Sequence, residues 1–200
     1  MSDINASERW VEAGYNLFVK EGPDGLQVER LARILRLNKS GFYHYFGDME
    51  NYTARMIKYH YRAFDQFMDD VAKCNNVDPE YIHVIYKHKV MAMGQMQLAR
   101  NKDNPMFLGA HKEGDERVVA QTRGIWAEYL NLNDKLELAG QFHALLRDIF
   151  YTRITWETFT IEYLRTLAEE VRDIVAKMGT ENGGLMTKGG ELSPARRQQI

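Results

Sequence analysis

Few residues of this 200-residue chain combine a reactive type with a spacing that could do chemistry. Glu80, Tyr81, Ile82 and His83 form an E-x-x-H, the spacing used in di-iron bundles, but no second copy completes such a site. The sequence has no cysteine/histidine cluster with zinc spacing, no C-x-x-C pair, no H-E-x-x-H, no P-loop and no nucleophile elbow. No catalytic residue, metal ligand or cofactor is therefore predicted, and His83, His88, His111 and His143 read as surface or hydrogen-bonded core residues. A better-placed set lies in "LNKSGFYHYF", Leu37 to Phe46, where four aromatic rings follow a small, polar, basic front.

On a helical wheel of about 100° per residue, Phe42 and Phe46 fall within about 40° of each other and Tyr45 about 60° to their other side. These rings would pack on Leu31, Leu35 and the first helix, because so short a helix needs tertiary support. Lys39, Ser40, Tyr43 and His44 are left facing outward. Asn38 is a good N-cap, so the helix would begin near Lys39 with free backbone N–H groups and its positive dipole end outward, where a phosphate can sit. Lys39 and Tyr43 suit phosphate oxygens, and Ser40 and Gly41 are small enough to let the helix approach base edges. Arg30, Arg33 and Arg36 precede this segment, opposed by Glu29. Wheel geometry alone favours plain core over a DNA reader.

The elements that must position these residues are helical throughout. Only four prolines occur, 44% of residues are hydrophobic, and apolar positions recur every three or four residues with no long alternating run. A first helix is predicted from about Ser7 to Glu21, ending at "GPDG" (22–25), then a short one from Val28 to Leu35. Asp48 would cap a long linking helix from Met49 to about Lys73. Asp78-Pro79 and Asn104-Pro105 read as helix starts, the first opening one helix to about Lys102. Asp134 with Glu137 has capping-box spacing before a helix to about Arg153, and a last helix spans about Thr158 to Met178. From Gly179 the composition turns glycine-rich and polar, which predicts a flexible tail over 179–200.

Composition limits the function. A formal net charge of −2 excludes a uniformly basic DNA-coating protein, so a nucleic-acid site must be a local patch. The polar N-terminus, the lack of a long apolar run and the single cysteine, Cys74, predict a cytoplasmic chain with no signal, no membrane span and no internal disulfide.

The order of residues from Ala13 to Asn51 resembles the N-terminal DNA-binding domain of tetracycline-repressor-type (TetR/AcrR) bacterial transcriptional regulators. Ala13, Leu17, Phe18 and Gly22 match the family's first helix and Val28, Leu31 and Ala32 its second. Lys39, Phe42, Tyr43, His44 and Phe46 match its "K-x-x-[LF]-Y-x-x-F" recognition helix, and Glu50 the start of the next. The resemblance covers about the first quarter of the chain and implies an all-α fold: a three-helix helix-turn-helix domain (1–50), then a larger helical ligand-binding and dimerisation domain (51–178). It implies Gln27, Arg36, Asn38, Lys39, Ser40, Gly41, Tyr43 and His44 as the DNA-binding set. Four positions depart from the pattern. Arg36 replaces a turn glycine, Gln27 a Ser/Thr cap, Gly41 a base-reading side chain and Met49 a backbone-gripping lysine.

The resemblance further implies an effector site in the larger domain. Met91, Met93 and Met96 could adapt to ligands of varied shape, and Tyr86, Met93, Met96, Phe107, Trp126, Tyr129 and Phe142 are the candidate lining. Phe142, Leu145, Leu146, Ile149 and Phe150, then Ile161, Leu164 and Val171, form apolar stripes wider than one core contact needs. In the family such helices pair across a two-fold axis, which implies a homodimer with recognition helices about 34–36 Å apart or a multiple of that. The implied function is a DNA-binding transcriptional repressor released from double-stranded operator DNA by a small molecule. The rival is a helical small-molecule-binding protein or enzyme whose N-terminal motif is only structural.

Overall fold

A computed structural model describes residues 3–185, with side chains described for 6–178. Among these residues the chain is all-α, with no strand. α1 (Asp3–Glu21), α2 (Val28–Leu35) and α3 (Lys39–Phe46) form the N-terminal unit. α4 (Met49–Val71) leads into a larger helical unit of α5 (Ile82–Lys87), α6 (Lys89–Arg100), α7 (Pro105–Tyr129), α8 (Leu136–Arg153) and α9 (Ile161–Leu185). None of the described helices is long and apolar enough to cross a membrane.

The N-terminal unit closes on aromatic rings. Phe42, buried in α3, packs on Trp10 (centroids 5.6 Å apart), Phe46 (5.2 Å) and Tyr52 (5.0 Å). The Tyr52 hydroxyl donates to the Trp10 carbonyl at 2.8 Å, so the first turns of α4 belong to this core. Asp48 caps α4 as expected, its carboxylate accepting from the Asn51 amide at 2.8 Å. α2 ends on Arg36, which takes a left-handed conformation (φ 55°, ψ 44°), while the Leu37 amide reaches back to the Ala32 carbonyl. A non-glycine residue there costs roughly 1–2 kcal/mol, so the sharp turn between α2 and α3 is held under strain.

Four local expectations are corrected. The helix expected from Pro79 to Lys102 is broken, because Asp78 does not cap it: its carboxylate is drawn to Arg165 on α9 at 2.8 Å. Asn76 caps instead, accepting from the Glu80 amide at 3.0 Å, and opens a wide turn over Val77–Tyr81. A second break falls at His88, whose Nε2 is held by Asp70 of α4 at 2.9 Å. Asp134 and Glu137 form no capping box: Lys135 occupies the cap position without a side-chain bond, and Glu137 accepts from Arg123 at 3.4 Å. Asn38, expected to cap α3, stands at its start with extended backbone, but its side chain does not bond the helix. Finally, α9 continues to Leu185, into the segment expected to be a tail, whose remainder (186–200) lies outside the described residues.

Candidate functional site

Two places in the structure have the character of a site. The first is the outer face of α3. Lys39, Ser40 and His44 are exposed there and Tyr43 is 53% exposed, while Phe42 and Phe46 hold the helix from behind. With no side-chain cap from Asn38, the amides of Lys39 and Ser40 remain open to an external acceptor, while that of Gly41 donates to the Asn38 carbonyl at 3.0 Å. A Cβ added to Gly41 would meet nothing within 4 Å, so the backbone lies bare at this point. Arg36 and Gln27 are exposed beside this face, and Gln27 Nε2 donates to the Asp24 carbonyl at 3.4 Å.

Charge on this face is partly engaged. Lys39 Nζ donates to Glu29 at 2.8 Å, and that bond raises the lysine pKa and lowers that of Glu29. Arg30 is likewise held by Glu21, one bond being 2.6 Å. Both pairs are exposed, so a phosphate can compete for either cation at little cost. Arg33 and Arg36 make no ion pair among the described residues and are available as they stand.

The second place is a cavity walled by α4 to α9. The centre of a water-sized sphere can range over about 80 Å³ in it, several times the roughly 10–15 Å³ that one water requires. Phe64 and Phe67 of α4, Tyr81, Met91 and Phe150 supply apolar wall, and Trp126 stacks on His143 at 4.6 Å. Of the seven residues expected here only Trp126 lines the cavity. Met93 and Met96 are buried elsewhere, Phe107 packs on Phe18 of α1 at 5.3 Å, Tyr86 is exposed, and Tyr129 and Phe142 are half-buried outside the wall.

Polar groups of the wall were missed from the sequence. Gln95 and Arg147 both line the cavity. Arg147 donates through Nη2 to Asp115 at 3.1 Å, and Tyr151 donates to the same carboxylate at 3.3 Å. Gln95 lies at the middle of a buried hydrogen-bonded series. The Tyr15 hydroxyl bonds His60 Nδ1 at 2.8 Å, His60 Nε2 bonds Gln95 Oε1 at 3.1 Å, and Gln95 Nε2 donates to the His111 carbonyl at 3.1 Å.

One set of directions satisfies this series: Tyr15 donates, and neutral His60 carries its proton on Nε2. Burial, opposed by the bond to Gln95, pulls the His60 pKa down from 6.5 to about 4, which keeps it neutral. The series runs from α1 through α4 and α6 to α7, and so ties the N-terminal unit to the cavity wall. Small residues leave it room. A Cβ on Gly94 would collide with the Tyr15 hydroxyl, and one on Gly114 would lie 2.7 Å from Gln95 Nε2.

The expected dimer stripes divide in two. Leu146, Phe150, Leu164 and Val171 are buried within the protomer. Leu145 is 49% exposed, and Phe142, Ile149 and Ile161 are half-buried. Leu138, Ile174 and Met178 extend the uncovered apolar face along α8 and α9.

Comparison with known proteins agrees with the N-terminal geometry. Residues 11–51 match the family model described as "Bacterial regulatory proteins, tetR family". No curated protein matches the chain. Two solved structures are similar in fold. One, described as a transcriptional regulator of the TerR/AcrR family from Aquifex aeolicus VF5, has 17% identity and a TM-score of 0.56, over 86% of this chain and 98% of that one. The other, proposed to be a TetR-family transcriptional regulator from Mesorhizobium loti MAFF303099, has 14% identity and a TM-score of 0.59, over 89% and 98%. Residues 11–51 thus match the tetR family of bacterial regulatory proteins in sequence, and the chain shares its helical frame along most of its length with these two regulators.

Proposed function

We propose that the protein is a dimeric transcriptional repressor that leaves its operator when a small molecule enters the cavity. Residues 1–50 are its DNA-binding unit and 51–178 its effector-binding and dimerisation unit. The observation that carries this reading is the division of α3, with Phe42 and Phe46 buried beneath an outward row of Lys39, Ser40, Tyr43 and His44. Lys39, Tyr43, Arg36, Gln27 and the open amides behind Asn38 position the helix on phosphates, while Ser40, Gly41 and His44 approach bases. Because Gly41 offers no side chain, phosphate positioning contributes more than base readout.

The hydrogen-bonded series supports the coupling. A ligand that moves Gln95 shifts His60 on α4 and Tyr15 on α1, and α4 carries the change to α3. Operator affinity then falls because the ligand favours a state whose recognition helices no longer fit successive grooves. The uncovered face of α8 and α9 supports pairing with a second copy. Leu145→Glu should halve the solution mass seen by light scattering while leaving helical circular dichroism unchanged; a monomeric wild-type protein at micromolar concentration would remove the dimer.

The deciding experiment is a footprint of the purified protein on the intergenic DNA upstream of its own gene. Affinity should fall steeply with added salt through counterion release. Lys39→Ala and Tyr43→Ala should each weaken it by about tenfold without loss of stability. Unchanged affinity in both variants, or protection insensitive to salt, would return the N-terminal motif to a structural role.

A further inference from the structure

We propose that the cavity binds a small organic carboxylate with a flat apolar body, anchored on Arg147. This rests on reading the cavity as the effector site, and names the class of molecule that fits it.

Unmade hydrogen bonds point to the ligand. Arg147 is 11% exposed, and its Nε and Nη1 are buried with no acceptor. Trp126 Nε1, on another stretch of the same wall, is also a buried donor without a partner. Leaving donors of a buried cation unpaired is costly, so a ligand that supplies acceptor oxygens to them is stabilised there. The residues lining the cavity include one cation and no carboxylate. Asp115 stands behind Arg147, outside the wall, and divides its oxygens between Arg147 and Tyr151, with His111 at 3.7 Å. The one charged group facing a ligand is thus a guanidinium with two unpaired donors, which favours an anion over a neutral amide or an amine.

The remaining wall describes the rest of the molecule. Trp126 and His143 lie face to face, Tyr81 meets both edge-on, and Phe64, Phe67 and Phe150 close the sides. Thr122 gives its proton to the Val118 carbonyl at 2.8 Å, so His143 Nδ1, at 3.2 Å from that hydroxyl, must donate to it. Burial, reinforced by the nearby Arg147 charge, drives the His143 pKa well below its usual value, so the imidazole adds no second positive charge. Stacked rings and aromatic edges suit a planar or short-chain apolar body.

The test uses the full-length protein without DNA, following tryptophan fluorescence and calorimetric titration with benzoate, phenylacetate and hexanoate, each against its matched amide. At least one acid should bind about tenfold or more tightly than its amide. Arg147→Met should erase that preference while leaving amide binding within about threefold, and Arg147→Lys, which keeps the charge but loses the fork, should retain part of it. If Arg147→Met does not fold, the acid-to-amide ratio of the wild type decides. Amides binding as tightly as acids, a preference that survives in Arg147→Met, or no binding of any probe at millimolar concentration would overturn the proposal. Operator titration with the bound acid is a separate arm: an acid that binds but leaves operator affinity unchanged overturns the effector reading and keeps the ligand class.

Discussion

On α3, Lys39, Ser40, Tyr43 and His44 stand in water on one side of eight consecutive residues, over a floor of Phe42 and Phe46. Around the cavity, Gln95, His143 and Arg147 lie out of water on two helices and face rings from several others. Polar groups in the first place cost nothing to expose and can await a partner. In the second, each must be paired within the fold, and those that are not, such as two nitrogens of Arg147, mark where a partner belongs. A solvent-facing site is thus written in a short window, whereas a buried one is assembled across the chain and shows itself by what is left unsatisfied.

The comparison breaks most sharply at the floor of α3. Phe42→Ala should cost about 3–5 kcal/mol in denaturant unfolding, because its ring touches Trp10, Phe46 and Tyr52 at once. Loss of under about 1 kcal/mol would mean that α3 is not held by its aromatics.

The buried side has a pH signature of roughly 3 kcal/mol from His60. Its folded pKa of about 4 lies below the ordinary 6.5, so between those values the unfolded chain binds a proton that the folded one does not. Stability contributed by neutral His60 is complete above about pH 6.5 and is lost as pH falls toward 4. His111 and His143, also lowered by burial, act with the same sign. Urea midpoints at pH 7 and pH 5 should differ, and His60→Gln should flatten the slope. Equal midpoints in the wild type would place these histidines in water.

The smallest effect tests the exposed side. Gly41→Ala should stabilise the free protein by about 0.5–1 kcal/mol, since the helix gains a better former and the added methyl meets nothing. Operator affinity should fall in the same variant if backbone approaches DNA at this point. Unchanged affinity would mean that Gly41 is only an open position on the surface.

Several features were legible before any coordinates because they depend on near neighbours in the chain. Val28–Leu35, the start of α3 at Lys39, the Asp48 cap and the split of α3 into aromatic and polar faces follow from helical period and capping chemistry. The errors came where a distant group outbid a local one. Asp78 has the sequence of a helix start, yet Arg165 takes its carboxylate. Of the methionines of α6 that suggested a pocket, Met91 lines the cavity while Met93 and Met96 are buried elsewhere, and Phe107 is claimed by Phe18 of α1. His143, Arg147 and Tyr151 recur every four residues along α8, the spacing that a solvent-facing polar row also has, so nothing local marked them as cavity wall.

What the sequence by itself determined is a helical chain opening with a helix-turn-helix whose third helix has one aromatic and one polar face, because those features are set by residues within a turn or two of one another. Tertiary structure alone decided which polar side chains became buried partners. The series from Tyr15 to His111 and the Asp115 link between Arg147 and Tyr151 join residues 16 to 45 positions apart, and the local propensities of their helices carry no information about such a meeting.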